Sequence, residues 1–138
     1  MKNIISICLL IILVSCSASK NKKNTLEGSW QLTSVESLGK PASELFKSTI
    51  PFIVFVSAEK RVAGSNGCNR FSSTYTSDKN KLNIGALITT KMACENVDEK
   101  IITDNLPKVT SFSITDEGQT LKLMTDNVVI LVFKKQGK

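Results

Sequence analysis

The stretch GSNGCNRFSSTY, residues 64–75, decides how this chain is read. Asn66-Gly67 is a strong short-range hairpin signal, because both residues tolerate the positive φ of a tight turn. On one side lies RVAG and on the other CNRFSSTY, where Phe71, Ser73 and Tyr75 share a face and polar residues alternate with them. That period of two is the mark of a half-buried strand, so the segment reads as a β-hairpin. It also places Cys68 directly behind the turn, as a nucleophile, a metal ligand or half of a cross-link.

Most of the flanking sequence is strand-like too. Upstream, SWQLTSV (29–35) puts Trp30, Leu32 and Ser34 on one face, and a Gly/Pro-containing stretch follows with one helical turn expected after Pro41. The continuous apolar run FIVFV (52–56) reads as a strand covered on both faces. Downstream, Asp78-Lys79-Asn80 supplies a turn, and KLNIGALITT is further strand that Gly85 weakens. Three closing strands, SFSIT, TLKLMT and VVILVFKK, are separated by turns at Asp116-Glu117-Gly118 and Asp126-Asn127.

The exception is ENVDEKIITDNL (95–106). Asn96 followed three residues later by Glu99 resembles a capping box, and Asp98 adds negative charge where a helix dipole favours it. Val97, Ile101, Ile102 and Leu106 form an apolar stripe, and Pro107 stops the run. One main helix over about residues 96–106 is expected to pack on the sheet. The sum is a small α+β domain or partly open antiparallel barrel of seven or eight strands.

The N-terminus indicates where such a domain would work. MKNIISICLLIILVSCSASKNKKN has a basic head at Lys2 and an apolar run from Ile4 to Val14, too short to span a bilayer, which needs about 20 residues. The run ends in Leu13-Val14-Ser15-Cys16, which resembles the lipobox of bacterial lipoproteins. Residues 1–15 are therefore expected to be a signal peptide, and Cys8 would leave with it. Cys16 becomes the lipidated first residue of the mature chain, and residues 16–24 form a flexible tether ahead of a domain over 25–138. Ser17, rather than an acidic residue, is similar to lipoproteins sent to an outer membrane, facing the periplasm.

Removing Lys2 takes the net charge from +6 to +5. Lys20, Lys22 and Lys23 crowd the tether, as a solvated spacer or as a contact for acidic lipid headgroups. The remaining lysines are scattered among acids with no aromatic cluster beside them, which argues against a nucleic-acid partner.

Only Cys68 and Cys94 stay in the folded part. An even pair in an exported domain favours a disulfide; free buried thiols are the next alternative, and redox or metal chemistry the least supported. A catalytic thiol wants a base, and the sequence has no histidine. A structural zinc site wants four ligands with close pairs. No metal or other cofactor is expected beyond the covalent lipid on Cys16, and no catalytic residue is assigned. The carboxylates Asp98, Glu99 and Asp104 lie along one helix instead of facing one another across a cleft.

LEGSWQL, GSNGCNRFSSTY, LITTKMACENVDEKI and LKLMTDNVVILVF together resemble the META domain of the HslJ-like heat-shock lipoprotein family, over nearly all of residues 25–135. The resemblance implies a cracked antiparallel barrel with one helix, in a cell-envelope protein associated with heat or envelope stress. It further implies that Gly64, Asn66 and Gly67 turn the hairpin, that Cys68 bridges to Cys94, and that Asn69 bonds nearby backbone. Trp30, Phe71 and Met92 would fill the core. The expected function is a non-enzymatic lipoprotein acting as a binding or assembly module for an envelope protein partner. The alternative is a carrier or sensor of an apolar ligand, such as a lipid, held within the barrel.

Overall fold

The computed structural model describes residues 24–137. The expected signal peptide, Cys16 and nearly all of the tether lie outside them. Alternating apolar residues build ten strands: β1 (Gly28–Val35), β2 (Lys40–Pro41), β3 (Phe52–Val56), β4 (Arg61–Ser65), β5 (Arg70–Asp78), β6 (Lys81–Ile84), β7 (Ile88–Thr89), β8 (Ser111–Thr115), β9 (Thr120–Thr125) and β10 (Val128–Lys135). Two of these, β2 and β7, are only two residues long, and without them the count is eight, the upper end of the expected seven or eight. All pairings are antiparallel, in the order β10-β9-β8-β6-β5-β4-β3-β1-β2, with β7 on β5. A further pairing of β1 with β10 curls the sheet into a ring. The ring is cracked at one seam, where β6 and β8 meet through the single pair Lys81↔Ser111.

The ring's interior is filled. Trp30, Ile53, Phe55, Leu121, Leu123 and Phe133 are fully buried and point inward from β1, β3, β9 and β10. Burying each such side chain is worth about 1.5–3 kcal/mol. Two irregularities adjust the alternation. A shift in the β1–β10 register between Leu32 and Ser34 turns Val35 inward where Ser34 was expected, and one between Val129 and Leu131 brings both Ile130 and Leu131 inside. Each extra residue rotates the strand by one place, as a bulge does.

The run FIVFV is buried on one face only. Ile53 and Phe55 point into the core, whereas Phe52, Val54 and Val56 are half-buried on the outside. The expected helical turn after Pro41 is α1 (Ala42–Leu45), whose Ala42 is buried.

The main helix is shorter than its sequence suggests. It forms as α2 (Lys100–Thr103), followed by a 3-10 turn over Leu106–Lys108 that includes Pro107. Asn96 takes a left-handed φ of 58°, which an N-cap residue does not adopt, and Glu99 turns its carboxylate to the hairpin instead of back to Asn96. The apolar stripe nonetheless reaches its destination: Ile101, Ile102 and Leu106 are buried in the core and Val97 is half-buried against it. Among the described residues no helix is long and apolar enough to cross a membrane.

Candidate functional site

The quoted hairpin is β4 and β5, joined by a four-residue loop, Asn66 to Asn69, with Ser65 opposite Arg70. Gly67 alone takes the positive φ, +100°, and a Cβ there would lie 2.8 Å from the Phe46 ring. Asn66 serves the turn through its side chain instead. Its Oδ1 accepts from the amides of Cys68 (3.0 Å) and Asn69 (2.6 Å), while its own amide donates to the Asn69 carbonyl (3.0 Å). Gly64 lies within β4, where a Cβ would sit 2.0 Å from the Phe52 carbonyl oxygen, so close strand approach requires glycine there.

Behind the turn, Cys68 is bonded to Cys94, with Cα atoms 5.8 Å apart. Asn69, 2% exposed, joins three segments. Its Oδ1 accepts from the Met92 amide (2.6 Å) and the Thr90 hydroxyl (2.9 Å). Its Nδ2 donates to the Met92 carbonyl (3.1 Å) and to Glu99 Oε2 (2.6 Å), an oxygen that also accepts from Asn66 Nδ2 (3.2 Å). One amide thus pairs with Met92 in both directions, as a neighbouring strand would, while Glu99 closes the cluster from the helical side.

Sequence-predicted residues divide. Asn66, Gly67, Cys68, Asn69 and Cys94 converge here, while Trp30 and Phe71 lie in the core and Gly64, expected in the turn, stands apart within β4 against the backbone of β3. Met92 does not join them inside: it is 59% exposed, because its backbone is the part captured by Asn69 and the side chain is left to solvent. The sequence does not mark Thr90, and it points to a different role for Glu99. A capping box explained Glu99 locally, and no local pattern marks a carboxylate whose partners are about thirty residues away.

Lys135 was also missed. Its ammonium lies 4.1 Å from the Trp30 ring centroid and donates to the Glu27 carbonyl, and burial pushes its pKa down while the Glu27 carboxylate pulls it back up. Gly28, at φ +104°, leaves room for that side chain, since a Cβ would lie 3.2 Å from Lys135 Nζ. The LEGSW motif is thus a seat for Lys135. Trp30 Nε1 is satisfied by the Leu26 carbonyl at 2.7 Å.

Between the cross-linked segment and α2 lies an open cleft of about 750 Å³. Leu87, Met92, Ala93 and Pro107 give it apolar walls, and Lys91, Glu99, Lys100 and Asp104 give it charge of both signs. Glu99 Oε2 is occupied by amide donors, so this carboxylate holds the site together. What the cleft offers is a firm, mixed apolar and charged recess beside an exposed methionine.

A family model described as META domain matches residues 23–138. Among solved structures, the fold is similar to an NMR structure of a protein from Burkholderia xenovorans, at 22% identity and TM-score 0.65 over 82% of this chain and 85% of that one. It is similar to a second NMR structure at 25% identity and TM-score 0.58, over 80% and 90% of the two chains. A crystal structure of a DUF4847 family protein from Bacteroides vulgatus aligns at 15% identity and TM-score 0.53, over 81% and 96%. No curated protein matches the chain.

Proposed function

The chain belongs to the META domain family, and from that premise we propose that it is a non-enzymatic cell-envelope lipoprotein, anchored through Cys16, that serves envelope or heat stress as a binding module. The observation that carries this reading is the side chain of Met92, exposed on a segment held by Asn69 through both its amide and carbonyl and tied to Cys68 two residues later. Protein surfaces that recognise partners present firm apolar anchors beside satisfied polar groups. The order of basic head, apolar run and cysteine in residues 1–16 supports the anchor, and the Cys68–Cys94 bridge suits an oxidising compartment. The expected location is the outer membrane, facing the periplasm. A filled ring interior favours a protein partner in the cleft over an apolar ligand inside the barrel.

The test uses the full-length protein in its own membranes, with a photo-crosslinking residue at Met92 and, as a control, at Val128. A discrete adduct from position 92 alone is expected, together with an acylated Cys16 peptide by mass spectrometry. Met92→Ala should change stability by no more than about 0.5 kcal/mol, as exposed substitutions do, yet weaken capture by a crosslinking residue at the neighbouring Lys91 at least tenfold. Identical adduct patterns at the two positions would overturn the reading.

A further inference from the structure

A second surface lies outside the cleft, across the ridge formed by Thr89 and Thr90. On the outer face of β3, β4 and β7, a shallow groove of about 450 Å³ is floored by Phe52, Val54 and Ala63 and edged by Ile88, 76% exposed. The chain's two arginines flank it. Arg61 lies opposite Thr74 and Arg70 opposite Ser65, which puts them four residues apart along the hairpin, about 13 Å. Arg61 is loosely paired with Glu59 at 3.9 Å, both side chains being more than half exposed. Arg70 has no ion pair among the described residues, and no carboxylate lines the groove.

We infer that this face lies against a phospholipid bilayer, with Ile88, Phe52 and Val54 among the upper acyl segments and the two guanidiniums on lipid phosphates. Two charges with an apolar strip between them suit a surface that is apolar at depth and phosphate-rich above, and guanidinium binds phosphate through a planar fork while staying weakly hydrated. The location of the chain's start points the same way. Gly28 pairs with Phe55, so the chain joins the ring beside the strand that floors the groove. Cys16 precedes Asn24 by eight residues, a reach of at most about 28 Å. An anchored domain on so short a lead stays close to the lipid, and a face too weak to bind from solution then docks at high effective concentration. The inference rests on the proposed lipidation of Cys16 and adds the orientation of the domain, which puts the Met92 cleft beside the bilayer face, across the ridge of Thr89 and Thr90.

The experiment reconstitutes the mature lipidated protein in phosphatidylethanolamine–phosphatidylglycerol nanodiscs carrying a headgroup-nitroxide lipid. Methyl relaxation is read at Ile88 and Val54, and at Val128 on β10, which is separated from β3 by β1. Ile88 and Val54 should relax at least threefold faster than Val128, and Arg70→Glu together with Ile88→Glu should erase the difference at Val54 without altering core methyl shifts. Equal or faster relaxation at Val128 overturns the docking while leaving the anchor intact. Loss of the Ile88 signal with protein concentration and without lipid also overturns it, since a second copy then covers the face. An unacylated Cys16 removes the anchor separately. The face is then judged by sedimentation of the same chain with phosphatidylglycerol vesicles, where retention lost in Arg70→Glu supports it and no retention overturns it.

Discussion

Asn69 achieves with one buried side chain what a strand achieves with a backbone: it gives and accepts at Met92, and still has a donor for Glu99. Only an amide carries donor and acceptor in that geometry. Asn69→Ala should lower unfolding free energy by about 3 kcal/mol in urea titrations, because four part-buried hydrogen bonds are lost together and one of them is to a carboxylate. Asn69→Asp has the right shape but no donors, and should be at least as damaging at neutral pH. If both variants unfolded within 0.5 kcal/mol of the parent, the cluster would not be holding the loop. At Gly64 the constraint is different: the backbone of β3 occupies the volume a Cβ would need.

At the level of elements, the bridge between Cys68 and Cys94 ties the hairpin to a stretch with almost no secondary structure of its own. Constraining a loop of that length removes unfolded-state entropy worth about 3.5 kcal/mol on the chain-entropy model. The double substitution of both cysteines by alanine should therefore lower stability by about that amount. Amide exchange around residues 90–96 should rise first, while β9 and β10 stay protected. Uniform loss of protection across all strands would contradict this division. The strands themselves were legible because alternation and turn residues are local signals, as in RFSSTYTSD and at Asp126-Asn127. The helix was overestimated because its cap was judged from neighbours alone, while Glu99 had distant partners. The same limit hid the outward turn of Met92: the motif announces that its backbone matters but not which way its side chain leaves. Bulges in β1 and β10 were likewise invisible, since register belongs to a pair of strands and no single strand shows it.

For the whole molecule, titration at the β1 edge should leave a mark on stability. The Glu27 carboxyl is held below its ordinary value of 4.5, chiefly by the Ser57 hydroxyl, then by the Ser57 amide, and also by the Lys135 ammonium. A depressed acid stabilises the fold above its unfolded value and loses that contribution as pH falls through the folded one. Stability should therefore decline on acidification below about pH 4.5, less steeply in Glu27→Gln, by a modest amount because the group is exposed. Lys135, depressed from 10.5 by burial, is a cost at neutral pH instead of a gain, yet it moves stability with pH in the same direction: between its folded value and 10.5 the unfolded chain binds the extra proton, so raising pH relieves that cost. Thermal unfolding of parent and Glu27→Gln from pH 3 to 7 checks the acid limb, and parallel curves would refute it.

The pairing of Trp30 with Lys135 joins nearly the first described strand residue to the last. A polypeptide wired in this way stays open until β10 has been made, because its earliest strand has no companion on that flank before then. Early β3–β4–β5 contacts can form sooner, but closure waits on a long-range encounter, the slow kind of step in β-rich topologies. A nascent chain stalled before β10 would leave the flanks of β1 and β9 bare, and bare strand flanks recruit one another between molecules. Premature termination near residue 127 should thus yield insoluble material in place of a slightly weakened protein.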